Sequence, residues 1–315
     1  MLILLMLKRK KDMMKLFPIG LSSSARRGVF WKILACVFFS FSNVLIKSLS
    51  LPFLQIACYQ NFIGGLFLLC IMKEFSWSLL RTWPSTARSI VSIISVLSWT
   101  YAIQKLPLFQ SVAIGFVGPF FTPVGAKLFL KETLSTQRTV SIVLGITGGV
   151  LLMEGSKIFN SVSITETTPW IIFVPVCAAL SSSLSNILGK KLLNENFSAQ
   201  SIACTLMLSV GIMLSPSISF WIWPTGIEYI LLLLCGVVLA CAHWCLGKAF
   251  SYTDLSFLLP IGSFKLVLGA WTGVLFFREY PTWWMICGSC VILLALLMLS
   301  WKDRENKAFF QKPSR

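Results

Sequence analysis

Lys265 lies in the stretch Gly262-Ser-Phe-Lys265, about ten residues into an apolar run and so roughly 15 Å along a helix from its start. An ammonium that deep in a hydrocarbon layer is beyond comfortable snorkelling, and an ionisable residue there marks a functional site by default. Two chemistries suit it: contact with a carboxylate or phosphate on a substrate, or a structural lysine satisfied by backbone carbonyls. The eleven acids (Asp12, Glu74, Glu132, Glu154, Glu166, Glu195, Glu228, Asp254, Glu279, Asp303, Glu305) all fall in tails, loops or ends of apolar runs, so a protein partner for Lys265 is hard to find. Lys248 stands near the end of the preceding run, where it either binds or gates.

A second set of polar residues is written twice. SFSNVLIKSL at 40–49 and SLSNILGKKL at 183–192 share Ser40/Ser183, Ser42/Ser185, Asn43/Asn186, Leu45/Leu188, Lys47/Lys190 and Leu49/Leu192, at an offset of 143. Ser40, Asn43 and Lys47 are spaced i, i+3, i+7, which puts them on one face of a helix, and Ser183, Asn186 and Lys190 repeat that face. Lipid offers no hydrogen bonds, so such a stripe faces protein or a water-filled cavity. For Asn43 and Asn186 both interhelical hydrogen bonding and a pathway wall fit; for Lys47 and Lys190 snorkelling at a helix end is the simpler reading. Trp99, Tyr101, Trp244 and Trp271 lie inside apolar runs rather than at their edges, where rings stack on a planar base or face a cation. His243, the sole histidine, reads as a packed side chain rather than a proton relay.

The elements that must position these residues are membrane helices. The 315 residues are 56% hydrophobic and 12% charged, against about 25% charged in an ordinary soluble domain. Apolar windows fall near 28–49, 52–72, 89–105, 108–130, 138–153, 168–189, 199–215, 227–247, 255–277 and 283–301. Each continuous run approaches the roughly 20 residues that a helix needs to span a bilayer, which excludes a β-barrel of alternating segments. The expectation is an all-α membrane protein of ten transmembrane helices.

The net charge of +16 reads as topology, with no nucleic acid as partner. With the N-terminus cytoplasmic, all of the 27 Lys and Arg except Lys47, Lys105, Lys157, Arg278 and Lys265 fall at or near cytoplasmic ends. The positive-inside rule then puts both termini in the cytoplasm, which an even number of spans allows. The ten cysteines lie in or beside the runs, so no disulfide framework is expected, and Cys287-Gly-Ser-Cys290 reads as packing. No metal site and no cofactor are called for. No phosphate-binding loop ending in Lys-Ser/Thr is present, so the chain does not hydrolyse ATP. Paired acids with a metal, or a His beside an acid, are lacking, so it is not read as an enzyme.

A weaker repeat, Tyr101–Val150 against Lys248–Leu297 at an offset of 147, includes Gly115/Gly262 and Glu132/Glu279. Together the two offsets divide the chain into a basic tail at 1–27, a five-helix half at 28–154, a linker at 155–167, a second five-helix half at 168–301 and a tail at 302–315. Five spans per half is odd, so the second half enters the membrane inverted. Inverted repeats build a midplane site that rocking exposes to each side in turn, which is transporter architecture.

Ten spans in two such halves, with Lys131-Glu132 after span four and Arg278-Glu279 after span nine, resemble the drug/metabolite transporter superfamily, EamA type, over about residues 28–301. Ser98-Trp99-Thr100-Tyr101, Asn186 with Lys190-Lys191, and Lys248-Ala249-Phe250-Ser251 with Asp254 look like the S-adenosylmethionine uptake carriers of obligate intracellular bacteria. The resemblance implies a multi-pass protein of the bacterial inner membrane that takes in S-adenosylmethionine, an adenosyl amino acid, against S-adenosylhomocysteine. It implies adenine stacked on an aromatic ring, a sulfonium on a Trp or Tyr face and a carboxylate on Lys265. Where those carriers have an arginine in span two this chain has Tyr59-Gln60-Asn61, and near position 265 they have a carboxylate. An amino acid exporter, or a carrier of a phosphorylated anion held by Lys248 and Lys265, is the alternative within the same fold.

Overall fold

The computed structural model describes residues 23–72, 75–116, 118, 120, 139–141, 143–148, 151, 171, 173–253, 258 and 261–310. Among them the chain forms α1 (Ser23–Lys47), α2 (Phe53–Ile71), α3 (Trp83–Lys105), α4 (Leu108–Gly115), α5 (Phe173–Asn194), α6 (Ala199–Leu214), α7 (Gly226–Tyr252), α8 (Phe264–Phe277) and α9 (Trp283–Phe310), with no strand. Parts of 139–148 are helical as well. The basic N-terminal cluster, most of the 108–130 window, the 155–167 linker, Glu132 and Asp254 lie outside the described residues.

The helix starts and stops follow local chemistry. Prolines 52 and 107 precede α2 and α4, where their fixed φ and missing N–H cost nothing. Thr225 and Glu228 form a reciprocal capping box on α7, and the Ser198 side chain accepts from the Ser201 backbone N–H at the start of α6. At the end of α8, Arg278 adopts φ 54°, a left-handed C-cap that a non-glycine residue rarely takes. Its N–H and that of Glu279 return to the Val274 and Gly273 carbonyls, so the turn aims Glu279 back along the bundle.

Five stretches are long and apolar enough to cross a bilayer: Ser24–Lys47, Phe53–Ile71, Trp83–Lys105, Ala199–Phe220 and Gly226–Tyr252. Helix α5 is not among them, although it is 22 residues long, because Ser181–Ser183, Ser185, Asn186, Lys190 and Lys191 dilute its hydropathy. Large side chains such as Val267, Leu275, Leu233 and Ile230 are more than half exposed, which is how a helix faces lipid rather than water.

Helix pairing carries the duplication into three dimensions. Helix α1 packs on α7 and α3 on α5; α2 packs on α6; α4 packs on α8. Exchanging the halves (α1 for α5, α2 for α6, α3 for α7, α4 for α8) turns the first two pairs into each other and leaves the last two unchanged. The α2 and α7 backbones approach through glycines: a Cβ on Gly64 would lie 2.5 Å from the Gly236 carbonyl oxygen. Small residues at such crossings give membrane helices the close packing that hydrophobic burial cannot supply in lipid.

Candidate functional site

Between the halves lies a cavity of about 270 Å³. One face of α1 (Ala35, Cys36, Phe39, Asn43) and the equivalent face of α5 (Ala178, Ala179, Ser182, Asn186) form two of its walls, position for position at the offset of 143. Gln60 of α2, Trp99 of α3, His243 of α7 and Lys265 of α8 complete it. Among the described residues no carboxylate lines it.

The Lys265 ammonium sits 4.5 Å from the centre of the Phe39 ring and 5.7 Å from that of Trp99. A cation over a desolvated ring gains about 2 kcal/mol at best. Withdrawing an ammonium from water costs several kcal/mol even after relaxation. Two ring faces therefore do not offset the desolvation of Lys265, and among the described residues no acid pairs with it. His243 stands edge-on to Phe39, with centroids 5.3 Å apart.

Asn43 is 3% exposed, and its Oδ1 accepts a 3.0 Å bond from Trp99 Nε1. The indole N–H only donates, so this contact fixes which end of the amide is which. Asn43 Nδ2 is left buried at the cavity wall with no protein acceptor among the described residues. Gln60 donates to Thr100 Oγ1 at 3.4 Å and accepts from Cys235 Sγ at 3.4 Å.

Of the candidates named from sequence, the cavity gathers Asn43, Gln60, Trp99, Asn186 and Lys265. The remaining six sit on other helix faces. Trp271 is 64% exposed on the outer surface of α8. Tyr101, two residues and more than half a turn from Trp99, packs on Phe53, and Tyr59 stacks on Trp221. Asn61 donates back to the Ala57 carbonyl, Trp244 lies against Trp31, and Lys248 is off the cavity lining. Ser40 is buried beside the wall rather than on it.

Two cations escaped the sequence reading. Lys32, counted there among the charges at the cytoplasmic end, lines the cavity 5.7 Å from the centre of the Phe250 ring. The available signal was spacing: Lys32, Cys36, Phe39 and Asn43 run i, i+4, i+7, i+11 on one face. Arg88, also assigned to a cytoplasmic end, is 8% exposed and donates to the Ser185 and Ile202 carbonyls, tying α3 to α5 and α6.

The duplicated lysines close opposite ends. Lys47 Nζ donates to the Leu106 carbonyl at 2.7 Å and pairs with Glu279 Oε1 at 2.6 Å. Glu279 Oε2 accepts from the Leu108 N–H at 2.7 Å, capping the free N-terminus of α4. Lys190 Nζ donates to the carbonyls of Phe250 and Thr253. Thr253 is the repeat equivalent of Leu106 at the offset of 147, so the same contact recurs in both halves.

Residues 26–154 and 168–301 each match the EamA-like transporter family. The chain is 27% identical over 298 residues to a riboflavin transporter of Rhizobium johnstonii, covering 90% of this chain and 95% of that one. It is 25% identical over 285 residues to the S-adenosylmethionine uptake transporter of Rickettsia prowazekii, covering 89% and 94%. A crystal structure with 16% sequence identity superposes with a TM-score of 0.64, over 90% of this chain and 99% of that one, which supports the fold.

Proposed function

Since the chain belongs to the EamA-like transporter family, we propose that it carries S-adenosylmethionine across the bacterial inner membrane, in exchange for S-adenosylhomocysteine, by alternating access. The chain is a multi-pass membrane transporter rather than an enzyme; the substrate and the exchange are the proposal. The carrying observation is Lys265, an ammonium against aromatic faces in a cavity walled by both halves. Of the substrates in the relatives' names, S-adenosylmethionine has both a planar base for the rings and a carboxylate for the ammonium. Riboflavin has neither carboxylate nor phosphate. Rocking of the halves about the shared walls opens the cavity to each side in turn. The surplus of Lys and Arg at one set of span ends supports placing both termini in the cytoplasm.

The deciding experiment is counterflow of radiolabelled S-adenosylmethionine into proteoliposomes loaded with S-adenosylhomocysteine. Uptake that rises with the internal load is expected. No uptake with or without that load refutes the reading. A carrier of a phosphorylated anion is the second reading, favoured by Lys32, which adds a second ammonium to the cavity.

A further inference from the structure

The cavity wall is more strongly cationic than an adenosyl amino acid requires. Lys32 and Lys265 both line it, from α1 and α8, and each has aromatic rings but no acid beside it among the described residues. Helix α1 touches the chain just before α8: Cys36 Sγ lies 3.8 Å from the Gly262 carbonyl oxygen. Lys32 is one turn from Cys36 on α1, and Lys265 is three residues beyond Gly262.

Gly262 itself makes room for the second cation. A Cβ there would stand 3.3 Å from Lys32 Cε and 3.6 Å from its Nζ. Its repeat partner Gly115 makes room for Trp99 instead, at 2.9 Å from the ring. Asn43 adds a third donor, with Oδ1 held by Trp99 and Nδ2 free of any protein acceptor among the described residues. Ammonium, ammonium and amide N–H are all donors, and among the described residues no carboxylate balances them.

We infer that Lys32, Lys265 and the Asn43 amide form one anion-binding pole, so that the carrier selects a substrate whose carboxylate or phosphate group enters this pole beside the aromatic wall. The inference rests on the transporter reading and narrows its substrate class. The pole ranks cargo by charge. S-adenosylhomocysteine, a zwitterion of net zero charge, binds better than S-adenosylmethionine, whose sulfonium adds a cation. A nucleoside monophosphate binds better than either. The sulfonium also loses its place on Trp99, because the Lys265 ammonium already faces that ring.

The test uses the full chain in proteoliposomes, with adenosine monophosphate, S-adenosylhomocysteine, S-adenosylmethionine and adenosine as competitors. Competition is expected to weaken in the order monophosphate, homocysteine, methionine derivative. Lys32→Gln and Lys265→Gln should each weaken the monophosphate and S-adenosylhomocysteine at least tenfold and leave adenosine unchanged, with Lys265→Arg restoring most of the loss. Competition by the monophosphate no stronger than that by S-adenosylhomocysteine overturns the ranking by charge. Tighter binding of S-adenosylmethionine than of S-adenosylhomocysteine, or Gln variants that compete like the parent, overturns the inference.

If no adenosyl compound is carried, the adenosyl reading fails and the pole is judged separately on the unmutated protein. Pyridoxal phosphate and pyridoxal share an aldehyde that condenses with a lysine amine, losing water, and borohydride then reduces the imine. Peptide mass spectrometry should find the rate advantage of the phosphate over neutral pyridoxal at least ten times larger at Lys32 or Lys265 than at the exposed Lys105 and Lys191, which correct for pyridoxal's internal hemiacetal. The same advantage at Lys32 and Lys265 as at the exposed lysines, or no modification at either lysine, overturns the pole.

Discussion

Replacing Glu279 by glutamine removes one charge from the Lys47 end of the bundle while keeping nearly the same shape. The new amide still offers an oxygen to the Leu108 N–H, which Glu279 Oε2 meets at 2.7 Å in the parent. What is lost is the 2.6 Å ion pair with Lys47, whose side chains are 14% and 22% exposed. Hydrogen bonds to charged groups contribute about 1.5–3 kcal/mol, so a loss of about 2 kcal/mol is expected, with the Leu106 carbonyl still holding Lys47. At about 1.4 kcal/mol per factor of ten, the closed arrangement loses roughly 30-fold in population against the one opened at this end. Cys36 is a native reporter: it lines the cavity and is 1% exposed here, so a maleimide reaches it only when an end opens. A membrane-impermeant maleimide applied from the Lys47 side should alkylate Cys36 about 30 times faster in Glu279→Gln, read by peptide mass spectrometry. Lys47→Glu should do the same. Pairing it with Glu279→Lys should restore only part of the closure. An ammonium at position 279 cannot accept from the Leu108 N–H, and a carboxylate at position 47 would face the Leu106 carbonyl. A rate within twofold of the parent, or acceleration only from the Lys190 side, refutes a closing role for the Lys47–Glu279 pair.

Two further outcomes follow from the packing and the site. Gly64→Ala drives a Cβ into the Gly236 carbonyl oxygen at 2.5 Å, a backbone contact that cannot rotate away, and should lower stability by about 1–3 kcal/mol; Gly226→Ala, with nothing within 4 Å, should be neutral or slightly stabilising in the same thermal unfolding assay. Trp99→Phe keeps an aromatic face for Lys265 but removes the donor to Asn43 Oδ1, costing about 1 kcal/mol, so KM should rise roughly fivefold with kcat unchanged.

The helices were legible because apolar runs near bilayer length leave the backbone little alternative. The duplicated stretches supply residues at equivalent places on the cavity lining, Asn43 and Asn186. Azimuth was less legible. Depth along the chain identified Tyr101, Trp244 and Trp271 as intramembrane aromatics, but one or two residues from a wall position turn a side chain through a large part of a circle. Trp271 consequently faces outward, whereas Trp99 faces the cavity. Lys32 was hidden by a different effect. At the start of its span it satisfied the charge rule that assigns topology, and that explanation left no reason to ask which way it pointed. Arg88 was hidden in the same way, and only the packed helices show its guanidinium bound to carbonyls of α5 and α6.

The symmetry of the scaffold sharpens what the cations do. The α1 and α5 walls match at Ala35/Ala178 and Asn43/Asn186 and differ at Phe39/Ser182, so the duplication shapes two equivalent walls of partly different content. The two lysines have no such counterparts. Lys265 corresponds to Gly118, where a Cβ would already lie 2.8 Å from Ala179 Cβ, and Lys32 corresponds to Pro175. The equivalent glycines Gly115 and Gly262 admit an indole on one side and an ammonium on the other. An inverted repeat that kept equivalent contents would present similar chemistry to both ends of a ligand. On the proposed reading, a ring at one equivalent position and a cation at the other distinguish the planar end of the cargo from its charged end. Moving the charge should therefore impair binding more than deleting Lys32: Lys32→Gln with Pro175→Lys keeps the number of ammoniums but places one at the repeat-equivalent position of α5, and competition by S-adenosylhomocysteine should fall below that of Lys32→Gln alone.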